Sequence, residues 1–214
     1  MLESSIPPAH PAGQPRLTIG VMGAASGHLA DEAIAKSHRL GRAIARRGCV
    51  LVNGACPGLP FHAAMGAKEE GGLTVGISPA LSRDEHLHKY ESPTENLDVI
   101  IYTGSGLMGR EVTNIRSSDI VVITGGRSGT LGEFAIAYDE GKLIGVLEGT
   151  GGITTQIPQI VKACQKLSGA HLIYDEDPDR LIDRLIAYYH ERHFRHPSVH
   201  HDRAQGHPAP RTTA

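Results

Sequence analysis

Short runs of consecutive apolar residues alternate along this chain with longer stretches in which apolar positions recur every three or four residues. The runs cover residues 17–22, 49–52, 73–77, 97–102, 120–123 and 143–147, with a shorter one at 171–174. Runs of this length with no polar alternation read as strands buried on both faces. The periodic stretches predict helices over about residues 29–47, 60–70, 106–116, 129–141, 157–167 and 177–192. In the first of them Ala33, Ser37, Leu40, Ile44 and Ala45 keep close to a 3.6-residue period. Gly71-Gly72 reads as a helix C-cap, and the segment 78–95, with Pro79 and Pro93, as a polar loop. Strands apolar on both faces that alternate with helices predict a parallel sheet covered on both sides, a single doubly wound (Rossmann-like) α/β domain.

The domain is expected to span residues 16–194. Residues 1–15, with prolines at 7, 8, 11 and 15 and no apolar signal-peptide core, read as a flexible N-terminal tail. Residues 195–214, rich in His, Pro, Arg and Thr without an apolar period, read as a disordered C-terminal tail.

Composition narrows the classes of function. A chain of 214 residues that is 40% hydrophobic can bury one sizeable core. A net charge of −2, 4% aromatic residues and no Trp argue against a DNA or RNA partner, which needs basic and base-stacking surface. No run approaches the roughly 18 apolar residues of a membrane span, so no membrane partner is expected. Cys49, Cys56 and Cys164 suggest neither a disulfide framework nor a zinc site, and a reducing cytoplasm is the simplest setting. His190 and His193 lie three residues apart, but Glu191 is misplaced for an H-E-x-x-H pair, so no metal site is expected.

The candidate chemistry lies in three glycine corners, each following a predicted strand. The first is Gly20-Val21-Met22-Gly23-Ala24-Ala25-Ser26-Gly27, the second Asn53-Gly54-Ala55-Cys56-Pro57-Gly58, and the third carries Gly125, Gly126, Arg127, Ser128, Gly129 and Thr130. Glycine lets backbone N–H groups approach an anion, and a helix start adds partial positive charge. Gly23, Ala24, Ser26, Gly54, Gly125, Gly126, Arg127, Ser128, Gly129 and Thr130 are therefore the candidate phosphate contacts. The first corner lacks G-x-G-x-x-G spacing, and Val52-Asn53-Gly54 stands where a dinucleotide fold presents an acidic residue. No triphosphate loop is present either, and no cofactor is expected.

Thr130-x-x-Glu133 has the spacing of a capping box, whose carboxylate would still face the corner. Arg110 falls near a helix start, where the dipole disfavours a cation, so it points to an anion partner or else pairs in solvent with Glu111 or Glu95. Arg127 either reaches a phosphate or points into solvent. Tyr102 and Tyr138 read as packing residues.

Placed together, these pieces resemble the Lonely Guy (LOG) family and its bacterial relatives in the wider Smf/DprA–LOG superfamily, a group once mislabelled lysine decarboxylase. The resemblance covers about residues 17–160. It is carried by Gly23-Ala24-Ala25-Ser26, Leu40-Gly41-x5-Arg47-Gly48, the Gly54-to-Gly66 corner and helix, Gly71-Gly72-Leu73-Thr74-Val75-Gly76-Ile77-Ser78-Pro79, Arg110 ahead of Ser117-Ser118-Asp119, and above all Gly129-Thr130-x-x-Glu133. The family signature is P-G-G-x-G-T-x-x-E, preceded by an R-K pair. Here Gly125 stands for the proline, Arg127 for the second glycine, and Glu111 for the lysine. These departures resemble a bacterial branch with a G-G-x-x-G-T corner rather than the cytokinin-nucleotide type.

The resemblance implies a Rossmann-like homodimer, or a tetramer, that binds a nucleoside 5′-monophosphate or a related phosphorylated small molecule. It implies hydrolysis of the N-glycosidic bond to free base and ribose 5-phosphate, with Glu133 and Arg110 as the catalytic pair. The same superfamily also contains non-catalytic carriers of the phosphorylated pterin of molybdenum cofactor, and that alternative stays open here.

Overall fold

A computed structural model describes residues 15–191, so the expectations for the two tails, except Pro15, and for His193 lie outside the described residues. The elements run β1 (Thr18–Gly23), α1 (Asp31–Arg46), β2 (Val50–Asn53), α2 (Leu59–Glu69), β3 (Thr74–Ser78), α3 (Arg83–His88), β4 (Val99–Tyr102), α4 (Gly106–Arg116) and β5 (Ile120–Thr124). They continue with α5 (Ser128–Asp139), β6 (Leu143–Leu147), a 3₁₀ turn (Gly152–Thr155), α6 (Ile157–Cys164), β7 (His171–Asp175) and α7 (Pro178–Glu191). The strands form one sheet in the order β4-β3-β2-β1-β5-β6-β7, and every pair is parallel. The α/β class read from the apolar pattern is the observed one.

Alternate residues of β5 feed opposite cores, as a strand covered on both faces requires. Ile120 and Val122 join Leu40, Ile44 and Leu185 on one side of the sheet. Val121 and Ile123 join Phe134, Val146 and Ile157 on the other. The register is pinned at the far end from the glycine corners. Asp119 Oδ2 accepts from the backbone N–H and the hydroxyl of Thr18, both at 2.8 Å. Asp98 Oδ2 accepts from the same two groups of Thr74, at 2.8 and 3.0 Å.

Two expectations are corrected. The segment 78–95 is not all loop: Arg83–His88 forms α3, capped by Ser82 Oγ, which accepts from the Glu85 N–H. Its single apolar residue, Leu87, is why no helical period was visible. Nor is every strand covered twice. β4 lies at the sheet edge, and Val99 and Ile101 are 48% and 46% exposed.

Candidate functional site

In this sheet β1 leads outward to β2, β3 and β4, while β5 lies on its other side and leads to β6 and β7. The loops leaving the carboxyl ends of β1 and β5 therefore diverge, and open α/β sheets bind ligands at this kind of switch point. A cavity of about 340 Å³ opens there. The first corner lines it with Gly23, Ala24 and Ser26, the second with Gly54 and Cys56, and α4 with Arg110 and Glu111. The third corner contributes Arg127, Ser128, Gly129, Thr130 and Glu133.

Gly125 and Gly126, expected among the ligand contacts, instead brace this wall from behind and do not line the cavity. The Gly125 N–H donates to Thr150 Oγ1 at 2.8 Å, and the Gly126 carbonyl accepts from the Ile153 N–H at 3.0 Å. Gly126 has φ +95°, and a Cβ on it would sit 2.3 Å from Thr130 Oγ1, so only glycine fits. This turn delivers the chain directly into α5 at Ser128.

α5 has Arg127 at its N-cap position, no side-chain cap and no acidic residue in its first turn. Its leading N–H groups thus have no intrahelical partner, and the helix dipole adds positive potential at the cavity wall. The capping box does not form. Because the helix already starts at Ser128, Thr130 lies inside its first turn rather than at the N-cap, and Glu133 turns to other partners.

Those partners lie on α4. Arg110 Nη1 and Asn114 Nδ2 each donate to Glu133 Oε1 at 3.4 Å. Arg110, Asn114 and Glu133 are all buried, so the pair is shielded from water. Arg110 therefore binds neither Glu111 nor Glu95 but reaches across to α5. Gly54 makes room for it, since a Cβ there would lie 2.0 Å from Arg110 Nη1. Burial pushes the Glu133 carboxyl up to about 7, Arg110 pulls it back in part, and Glu111 adds to the rise. Arg110 Nε, Asn114 Oδ1 and Glu111 Oε2 are buried and make no hydrogen bond among the described residues. Buried polar atoms without partners beside a cavity are groups that a ligand can satisfy. Cys56 also faces this space, but desolvation pushes its thiol up to about 11, so it holds its proton and is a poor nucleophile.

At the mouth, exposed Arg127 donates from Nη2 to Ser26 Oγ at 2.6 Å and bridges the first and third corners. If this guanidinium also holds the ligand's anion, Arg127→Ala should weaken nucleotide binding by about tenfold, one charge-assisted hydrogen bond. A thermal melt should change little, as for other exposed substitutions. Titrating both proteins with nucleotide checks this, and equal affinities would reduce Arg127 to a surface link. Tyr138 proves to be a packing residue: it stacks on Phe134 and donates its hydroxyl to the Lys166 carbonyl at 2.7 Å. Tyr102 is half-buried, edge-on to His86.

Asn114 and Thr150 were missed in the sequence. Asn114 stands one helical turn after Arg110, so the same-face spacing could have revealed it. Thr150 reaches the corner from 25 residues away with no local signal.

Comparisons with known proteins bear on the family and the fold. Residues 16–182 match the model of the SLOG cluster4 family. A protein from Archaeoglobus fulgidus is 37% identical over 132 residues, which cover 62% of this chain and 80% of that protein. Among solved structures, TM1055 superposes with a TM-score of 0.70 at 26% identity, covering 80% of this chain and 99% of that one. The molybdenum cofactor binding protein from the phototrophic bacterium Rippkaea orientalis does so with a TM-score of 0.66 at 28% identity, covering 81% and 97%.

Proposed function

The chain belongs to the SLOG cluster4 family, and from that membership and the cavity's geometry we propose that it binds a nucleoside 5′-monophosphate and hydrolyses the bond between base and ribose. The observation that carries this reading is the buried Arg110–Glu133 pair, which lines the same cavity as the uncapped start of α5. The phosphate would sit on the N–H groups of Ser128 to Thr130, which fixes the sugar in register with Glu133. The glycosidic bond breaks towards an oxocarbenium-like sugar. Glu133 as carboxylate would steady that charge and take a proton from the attacking water. The water oxygen bonds to the anomeric carbon; the base leaves with the bonding electron pair and gains a proton. Arg110 would bind the phosphate or the departing base.

A carboxyl near 7 is well placed for this role, because a general base works best close to the ambient pH. At saturating nucleotide, base release should therefore rise as pH increases through about 7 and level off above it, the ionised form being the active one. Incubation with AMP, GMP and CMP followed by chromatography tests the assignment. Free base appearing with ribose 5-phosphate supports hydrolysis, whereas retention of ligand without release points to a carrier.

The carrier reading has its own support. The Rippkaea orientalis neighbour binds molybdenum cofactor, and Glu111 stands in this chain where the LOG signature has lysine. A phosphorylated pterin would use the same α5 corner, with Glu133 then only a wall of the pocket.

The assembly proposed is a homodimer. Val99 and Ile101 of the edge strand, Leu81 beside it, and Leu107 and Met108 at the start of α4 are all large apolar residues left exposed, and such clustering marks interaction surfaces. Light scattering should give twice the monomer mass, and Leu107→Glu with Met108→Glu should return the monomer. A monomeric native protein would rule this surface out. Among the described residues no helix is long and apolar enough to cross a membrane. The three free thiols fit a reducing cytoplasm, and a net charge of −2 argues against a nucleic-acid partner.

A further inference from the structure

We propose that Glu111 is a ligand-binding residue: it holds the phosphate as a neutral carboxyl, donating a hydrogen bond to it, so that anion binding takes up a proton. This rests on the phosphate reading above and goes beyond it, since the LOG signature has a lysine at this position.

Glu111 follows Arg110 on α4, is only 5% exposed and lines the cavity. Its carboxyl lies against the first turns of α5. A Cβ at position 132 would stand 2.8 Å from Oε2, and one at 129 would stand 3.7 Å from Oε1. Glycine is a poor residue inside a helix, yet at 132 it leaves the space that this carboxyl occupies. Oε2 is buried and makes no hydrogen bond among the described residues. The side chain is thus seated beside the N–H groups that would hold the phosphate, with its buried oxygen Oε2 unpartnered among the described residues.

An ionised carboxylate and a phosphate at one helix start would repel each other. Of the charged and titratable groups around Glu111, Arg110 offsets this in part, pulling the carboxyl down against the rise from burial, and the others do not. Arg110 on α4 is bonded to Glu133. Glu133 on α5 adds a further acid, Arg127 lies out at the mouth, and Cys56 on the second corner keeps its proton. Protonation removes the conflict: the carboxyl O–H becomes a donor aimed at a phosphate oxygen. The proton comes from solvent, and no other bond changes. Burial already raises the Glu111 carboxyl from its ordinary value, which lowers the cost of this step. By linkage, affinity falls as pH rises above the free carboxyl's value, by up to about tenfold per pH unit.

Ribose 5-phosphate, the part common to every nucleoside monophosphate, is the probe. Calorimetric titrations at about pH 7.5 in two buffers of different ionisation heat report protons taken up per ligand bound. The phosphate's own titration is common to both proteins and cancels in the comparison. The wild-type protein is expected to take up more protons than Glu111→Gln, by a sizeable fraction of one. Glutamine, a neutral donor of the same shape, should bind at least as tightly at this pH.

Equal uptake, or weaker binding by Glu111→Gln at every pH, would overturn the proposal. So would wild-type binding that requires Mg²⁺ and loses that requirement in Glu111→Gln, since Glu111 would then be an ionised metal ligand. A second measurement does not depend on the Glu111→Gln fold. In Glu133→Gln, sulfate, which does not titrate in this range, should still bind more weakly as pH rises; a flat profile refutes the role of Glu111. If neither sulfate nor ribose 5-phosphate binds any of these proteins, the phosphate site itself fails, an outcome distinct from binding without proton linkage.

Discussion

Glu133→Gln is expected to lower base release by at least about a hundredfold, the scale of a lost acid–base group, while nucleoside monophosphate still binds. The same change should make the protein more stable. The Glu133 carboxyl is raised from an ordinary 4.5 to about 7 in the folded state. The fold therefore favours its protonated form, and stability is lost as pH rises from 4.5 through about 7. Glutamine keeps the shape and the acceptor for Arg110 and Asn114 but never ionises. Above pH 7 the gain is roughly 3 kcal/mol, or on the order of 5–10 °C in melting temperature. It should shrink to nothing by about pH 4.5, where both forms are neutral. Melting curves across pH alongside chromatographic assays check both halves. Base release at the wild-type rate would remove Glu133 from the chemistry.

Arg110→Met should have the opposite signature. Methionine fills the volume beside Gly54, but Glu133 loses the one ion-pair partner it has among the described residues, and its carboxyl moves further up. Above about pH 7 an uncompensated buried carboxylate is costly, by several kcal/mol at most, whereas near pH 5 the neutral carboxyl tolerates the change. Stability should therefore keep falling above about pH 7 in this variant, where the wild type levels off. Nucleotide affinity should drop by about a hundredfold or more if Arg110 holds the phosphate, because bonds to charged groups are the strong ones. Unchanged affinity, with only the stability loss, would make Arg110 a support for Glu133 alone.

How far the site was legible follows from its physics. Strands apolar on both faces are as a rule covered strands, so the parallel sheet and its glycine corners were readable from 17–22, 49–52 and 120–123, whereas 97–102 became the exposed edge strand β4. Arg110 was marked by its misfit with a helix start, and the structure explains the misfit: the guanidinium serves α5, not α4. The capping-box reading of Thr130 and Glu133 failed because spacing cannot say where a helix begins. The left-handed turn at Gly126 moved that start to Ser128. The bracing of Gly125 by Thr150 depends on a contact across the sheet, and no local pattern encodes it. Glu111 was visible as a departure from a family signature. Its meaning needed the space left by Gly132, which only the packed helices reveal.

The central claim is that a phosphate anchors the ligand at the start of α5. Matched equilibrium titrations of adenosine, guanosine and cytidine against their 5′-monophosphates test it most directly. At least one monophosphate should bind saturably and about a hundredfold or more tighter than its nucleoside, since two or more charge-assisted hydrogen bonds vanish with the phosphate. Equal affinity of nucleoside and monophosphate, or no saturable binding by any of the three monophosphates, would contradict it.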